Sequence, residues 1–451
     1  METNEKNGAI DDYMEALREG DRVKMNALYE HLEAIDIAIA LGDEEDLIEP
    51  FCHLTSDEKI ASILEEAEEK VQIEITGYLD NYRILYLFNY MQKDNIVDIL
   101  GNLPDQRGRQ IVSLMQEGDK KVIQKLLGYS EDSAGGIMTT EYLALDGDLP
   151  VQSALEKIKE IAPQTEDIET VFVITASREL IGVADLRDIL TAEPGVRLRE
   201  LADREYIYCE PETDQEEVSR LVSKYDLKVI PVINKKKAML GIITVDDIID
   251  VIVEEHTEDM YRLAGVSSEE DLDSTLGDSI RLRLPWLFIN LATAFLAAFT
   301  VRMFENTIEQ VVALSATMSI VSGMGGNAGT QTLSIMVRSL ALGQVEGKSK
   351  WHLLFKEIFL GLINGASIGI VTGVIVMLVY HSIYLGLIIF LAMIANLIIA
   401  GFFGCLIPLI LKKCHADPAL ASSIFLTTAT DTLGFFVFLG LAQLMLPHLI
   451  G

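Results

Sequence analysis

Residues 358–411 read IFLGLINGASIGIVTGVIVMLVYHSIYLGLIIFLAMIANLIIAGFFGCLIPLIL, 54 consecutive positions without a formal charge. A helix of about 20 apolar residues crosses a bilayer, so this run holds two crossings broken at His381–Ser382. Working outward, the apolar segments are 284–304, 311–340, 354–380, 383–411 and 422–448. N-terminal to them the character reverses. Residues 281–451 carry nine Lys/Arg and six Asp/Glu, whereas residues 1–280 carry 27 and 63. The 451-residue chain thus combines a formal charge of −33 with a mean hydropathy of +0.27 by keeping the two characters apart. A soluble enzyme, a nucleic-acid binder (wrong sign of charge) and a disulfide-rich secreted protein are excluded. Cys52, Cys209, Cys405 and Cys414 show neither CxxC nor another zinc spacing. The first 30 residues are polar and acidic, so no cleavable signal peptide is expected.

Basic residues near span ends in short loops set orientation. Arg281, Arg283, Lys348, Lys350, Lys356, Lys412 and Lys413 fall on one side, and only Arg302 on the other. The large acidic part is therefore expected in the cytosol, and five spans place the C-terminus outside.

Within the acidic part, residues 1–50 form a helical extension, and 51–131 carry short helical units separated by turn signals, as in "MQKDNIVDILGNLPDQRGRQIVSLM". Each unit has one apolar face, which predicts a superhelical stack. Residues 137–255 contain a duplication. "ETVFVIT" (169–175) matches "KVIPVIN" (228–234) at an offset of 59, and "ELIGVADLRDIL" (179–190) matches "AMLGIITVDDII" (238–249) at the same offset. Upstream, "MTTEYLAL" (138–145) pairs with "ADREYIYC" (202–209) at 64, the difference being absorbed around Pro163–Asp167. Each unit reads strand–helix–strand–turn–strand–helix. This order resembles the cystathionine-β-synthase (CBS) domain pair, with units at 132–200 and 201–255. That resemblance implies an adenine nucleotide such as ATP between the repeats, with Leu186, Arg187 and Asp188 at its ribose and phosphates. An unliganded dimerisation module is the alternative.

Two constellations carry chemistry. The helix "TVDDIIDVIVEEHTEDM" places Asp246, Asp250, Glu254 and Glu258 four apart on one face, flanked by Asp247, Glu255 and Asp259. Like charges at this spacing each cost a helix about 0.2–0.5 kcal/mol, and the only basic candidate read here is His256. Hard divalent cations with oxygen ligands answer that need; a solvated acidic face is the bland alternative. Asp94 and Asp98, also four apart, and Asp226 add carboxylates elsewhere. Residues 256–283 are expected to continue as a polar helical connector into span one. In the membrane part, "SGMGGNAGTQTL" (322–333) surrounds Asn327 with Gly323, Gly325, Gly326 and Gly329. Glycines there permit a helix break with carbonyls facing a water-filled path, or close helix packing. In "DPALASSIFLTTATDTLG" (417–434), Asp431 is a carboxylate at mid-span, with Thr427 one turn before it and Asp417 at the helix start. A charge at that depth is a functional candidate by default.

Taken together, the acidic helical repeats, CBS pair, acidic connector, five spans, "GGNxGxQ" and "DPA…TTxxD…G" resemble the MgtE family of magnesium transporters over about 50–451. The resemblance implies a multidomain membrane protein: a superhelical N domain, an α/β CBS pair, a connector helix and an all-α transmembrane domain of five helices (284–451). It implies a homodimeric, magnesium-selective channel closed by cytosolic Mg²⁺. Asp431 would be the pore carboxylate, Asn327 and its glycines (Gly325, Gly326, Gly329) would line the path with Thr427, and Asp417 would sit at its mouth. Asp94, Asp98, Asp226 and the 246–259 carboxylates would be sensor ligands. Asn95 departs from the family pattern, where a second adjacent Asp often stands. A Na⁺- or H⁺-coupled divalent-metal transporter and a non-conducting membrane sensor remain as alternatives; no GxxxxGK[ST] loop supports a pump.

Overall fold

The computed structural model describes residues 3–162, 165, 167–267, 270, 274–345, 349–414, 416–420 and 422–450. The chain falls into two compact units, 1–251 and 252–451.

Among the described residues the first unit opens with ten α-helices: α1 (Thr3–Glu19), α2 (Arg22–Tyr29), α3 (Ala34–Asp43), α4 (Ile48–Leu54), α5 (Asp57–Glu66), α6 (Glu69–Tyr78), α7 (Asn81–Leu87), α8 (Lys93–Asn102), α9 (Asp105–Leu114) and α10 (Glu117–Leu126). Side-chain caps start some of them: Asp80 accepts from the N–H groups of Tyr82 and Arg83, both at 2.9 Å. Each helix buries one stripe, as with Ile60, Ala61, Ile63 and Leu64 of α5. From α3 onward each packs on the next but one, which is the arrangement of a superhelical stack. The boundary expected at 50/51 falls inside α4. Tyr13, Leu17, Ile37, Leu41, Ile48 and Phe51 are all fully buried, so residues 1–50 share the core of the stack rather than extending from it.

The duplication follows, with β1 (Ala144–Asp146), α11 (Val151–Ile161), β2 (Thr170–Ile174), β3 (Leu180–Asp185), α12 (Leu186–Thr191), α13 (Leu198–Leu201), α14 (Gln215–Tyr225), β4 (Val229–Ile233), β5 (Met239–Thr244) and α15 (Val245–Ala264). Strand register reproduces the sequence offsets residue by residue. Thr170 faces Asp185 and Val173 faces Gly182 in the first hairpin; Val229 faces Thr244 and Val232 faces Gly241 in the second, each 59 later. Leu145 pairs in parallel with Val173, and Cys209, 64 later, with Val232. The repeats also exchange their leading segments: Thr139 bridges to Ile242 and Asp203 to Val183. The two equivalent glycines make that exchange possible. A Cβ on Gly182 would lie 2.3 Å from the Asp203 carbonyl oxygen, and one on Gly241 2.5 Å from that of Thr139. Of the expected loop at 163–167, residues 163, 164 and 166 lie outside the described residues.

The expected connector helix over 256–283 is not a single helix. The division between units falls within α15, which ends at Ala264. Gly265 takes φ +73°, its N–H bonds the Arg262 carbonyl at 3.1 Å, and the Val266 N–H bonds that of Tyr261 at 2.9 Å, which is a Schellman stop. A new helix, α16 (Leu276–Arg302), starts under a Thr275 cap. After it come α17 (Glu305–Gln310), α18 (Ala313–Ala341), α19 (Lys350–Tyr380), α20 (Ile383–Lys413), α21 (Ser422–Leu444) and α22 (Leu446–Ile450). Among the described residues, α16, α19, α20 and most of α21 are long and apolar enough to cross a membrane. The fifth expected span, α18, is 29 residues long but diluted by Gly, Ser and Thr. The all-α region has α20 at its centre, packed on α18, α19 and α21.

Candidate functional site

Asp431 stands nine positions into α21, about 14 Å along its axis at 1.5 Å per residue. It is half-buried and faces α18, where the Ser322 hydroxyl donates to its Oδ1 at 2.5 Å. Its partner is thus a hydroxyl and not a cation; Arg338, the one basic residue of α18, is exposed. Thr427, one turn earlier on α21, is exposed.

The glycine-rich stretch does not break. α18 runs continuously through Gly323, Gly325, Gly326 and Gly329, so the carbonyls expected to line a gap stay in helical geometry. Two of the glycines serve packing instead. A Cβ on Gly325 would lie 2.2 Å from Asn396 Nδ2, and one on Gly329 2.8 Å from Leu426 Cδ1, whereas Gly326 borders open space. Asn327 is exposed and lies about 140° round the helix from Ser322, so it is not brought to Asp431 in this chain.

Three polar groups of this region went unread in the sequence. Asn396 of α20 is fully buried, its Nδ2 donates to the Val321 carbonyl at 2.7 Å, and its Oδ1 has no partner. Glu357 of α19 is 9% exposed and accepts from the Thr332 hydroxyl at 3.0 Å. Arg262 corrects the view that His256 is the only base on α15. It bonds Glu258, four residues before it, and Asp417 in the turn ahead of α21. Asp417 also caps that turn, its Oδ1 accepting from the Ala419 N–H at 2.7 Å. Beside this clamp Leu263 packs against Leu333, Val337, Ala419 and Leu426. Burial, then the charges of Asp417 and Glu255, push the Asp259 carboxyl up to about 6.

In the first unit, Asp247 accepts from the Thr244 hydroxyl at 2.7 Å and from the Thr244 N–H at 3.4 Å, reaching back over the start of α15. Asp98 of α8 keeps an exposed edge, yet desolvation of its carboxyl, then the charges of Asp247 and Glu131, push it up to about 6. Asp247 is raised too, first by burial. Asp94 lies in the first turn of α8. Asp226 is exposed and ends α14 in the left-handed conformation, φ +51°. Asp246, Asp250 and Glu254 are exposed, and Glu255 is half-buried. Among the described residues no three acids, histidines or cysteines are gathered as a metal cage. Leu186, Arg187 and Asp188 form the first turn of α12. Asp185 caps it through the Arg187 N–H at 2.7 Å, and Arg187 and Asp188 are exposed.

Comparison with known proteins agrees with this layout. Residues 318–441 match the family model described as a divalent cation transporter, 30–132 the MgtE intracellular N domain, and 134–195 and 198–254 the CBS domain. A magnesium transporter MgtE of Bacillus subtilis is 31% identical over 435 residues, 96% of each chain. One from Thermus thermophilus is 29% identical over 96% of this chain and 97% of its own. Among solved structures, the cytosolic domain of the Mg²⁺ channel MgtE in complex with ATP is 31% identical with a TM-score of 0.50, covering 54% of this chain and 99% of that one. The soluble part of a magnesium transporter gives 26% and 0.52, covering 55% and 99%. With four helices long and apolar enough to cross a membrane, an acidic helical stack and a CBS pair, the chain is a membrane protein that belongs to the MgtE family of transporters.

Proposed function

We propose that the chain is a homodimeric Mg²⁺ channel of the cell membrane, with its acidic first unit in the cytosol and its C-terminus outside. The observation that carries this reading is Asp431, a carboxylate inside a spanning helix whose partner is a neutral hydroxyl. An uncompensated charge there costs several kcal/mol unless water or a cation reaches it. Mg²⁺ sheds water reluctantly and keeps several waters when bound, so a carboxylate from each of two copies suits the hydrated ion.

Closure by cytosolic Mg²⁺ follows from charge. Desolvation first, and the charge of Asp247 second, raise the Asp98 carboxyl, so the two acids oppose each other in the ion-free chain. A hydrated Mg²⁺ fits between two such carboxylates without a full protein cage, and its binding favours the compact arrangement. Asp94, Asp226 and the outward acids of α15 are the remaining candidate ligands. At the other end of α15, Arg262 supplies a built-in cation to Glu258 and Asp417. ATP is proposed at the CBS pair near Leu186, Arg187 and Asp188, supported by the related cytosolic domain solved with ATP.

The test is Mg²⁺ flux into proteoliposomes while Mg²⁺ on the side of the acidic unit is varied. The proposal expects flux with no Na⁺ present and no pH gradient, falling as that Mg²⁺ rises. Flux that requires a Na⁺ or H⁺ gradient would replace the channel with a coupled transporter, and absence of flux would leave a sensor.

A further inference from the structure

Asn396 is a costly residue where it stands. It is fully buried in the apolar helix α20, and an amide acceptor left without a partner in such surroundings is destabilising. An aliphatic side chain of similar size would fill the volume without that cost. The amide is also wedged tightly. Gly325 of α18 and Gly434 of α21 both close on it: a Cβ on Gly325 would come 2.2 Å from Nδ2, and one on Gly434 2.5 Å from Oδ1. The spacing of α18 and α21 at this height is therefore the thickness of one amide.

What lies beside the wedge gives it a use. Nδ2 holds the carbonyl of Val321, and the next residue is Ser322, whose hydroxyl bonds Asp431. Gly434 is three residues after Asp431, less than one turn further along α21. One amide thus touches α18 one residue from the hydroxyl and α21 one turn from the carboxylate. We propose that Asn396 is a positioning residue for ion selection: it fixes α18 against α21 so that Ser322 aims Asp431 at the ion path. Asn396 touches no ion itself. The role rests on the reading of Asp431 as the path carboxylate.

The test uses the full chain in proteoliposomes, with Mg²⁺ and Ca²⁺ uptake read separately by internal dyes. Asn396→Leu keeps the branched heavy-atom shape and removes the amide, with methyl groups bulkier than the atoms they replace. The expected result is a Mg²⁺-over-Ca²⁺ preference reduced about tenfold or more, with Mg²⁺ inhibition from the acidic side unchanged. A merely structural residue would lower both fluxes in proportion to folded protein and leave their ratio alone, which would overturn the proposal. Should Asn396→Leu fail to fold, Ser322→Ala removes the aimed hydroxyl directly and is expected to lower the same ratio; an unchanged ratio there overturns the proposal equally. Asp431→Asn separates the two levels. If it conducts Mg²⁺ like the parent, the path reading fails. If it is inactive while Asn396→Leu and Ser322→Ala keep the parental ratio, the path stands and the positioning role falls.

Discussion

Arg262 ties the C-terminal turn of α15 to the start of α21, so any state in which that turn moves away must break its ion pair with Asp417, while the pair with Glu258, inside the same helix, moves with it. Hydrogen bonds to charged groups are worth about 1.5–3 kcal/mol each. Here the side chains of Arg262, Glu258 and Asp417 are 33%, 20% and 24% exposed, so water screens both pairs. About 1.4 kcal/mol for the pair with Asp417 allows for that screening, and at 1.4 kcal/mol per tenfold that is about tenfold in the balance between clamped and released forms. Arg262→Gln removes the charge with little loss of length, and it leaves Glu258, Asp259 and Asp417 to repel one another. If release opens the path, half-inhibition moves to higher Mg²⁺ on the acidic side: about tenfold if one ion sets closure, and about twofold if three equivalent ions act together. The assay is proteoliposome flux against Mg²⁺ on that side, repeated at high NaCl, where the parent should move part of the way toward the variant. An Arg262→Gln variant with the parental inhibition midpoint, or one closed at lower Mg²⁺, would refute the reasoning.

Other outcomes are equally specific. Asp98 has a folded-state pKa above its unfolded value, so the stability it contributes is fully present below about pH 4 and is lost as pH rises through about 6. Mg²⁺-free chain should therefore melt at lower temperature at pH 7 than at pH 5, Asp98→Asn should flatten that dependence, and Mg²⁺ should raise the melting temperature most at pH 7. Gly182→Ala drives a Cβ to within 2.3 Å of the Asp203 carbonyl and should cost about 1–3 kcal/mol, read as a lower melting temperature. Asp188→Ala should weaken ATP binding by calorimetry about tenfold while leaving Mg²⁺ flux intact.

What the sequence revealed depended on whether the signal was periodic. The offset of 59 survives as strand register because each repeat forms its own hydrogen-bonded hairpin, and that of 64 because the segment ahead of each hairpin pairs in parallel with its first strand. Gly182 and Gly241 sit at matching places because the same crossing occurs twice. The spans were visible for a similar reason, since burying about 20 residues in lipid leaves a compositional mark. Contacts between distant segments leave no such mark. Asn396 is one amide in an apolar run, and nothing local says that two glycines from other helices close on it. Glu357 lies at the edge of a charge-free stretch and reads as a span end, although Thr332 from another helix bonds it inside. The glycines of α18 permitted both a break and close packing, and only the positions of Asn396 and Leu426 decide for packing. Arg262 stands four residues beyond Glu258, and its second partner, Asp417, is 155 residues further along the chain. The acidic stripe on α15 was legible, but not that Asp247 turns back to Thr244 and Glu258 to Arg262.

The central claim is most directly tested by uptake of Mg²⁺ into proteoliposomes reconstituted with the parent chain or with Asp431→Ala, both confirmed folded by their melting curves. The account predicts that uptake through the variant falls to the level of protein-free liposomes. Parental uptake through Asp431→Ala would contradict it.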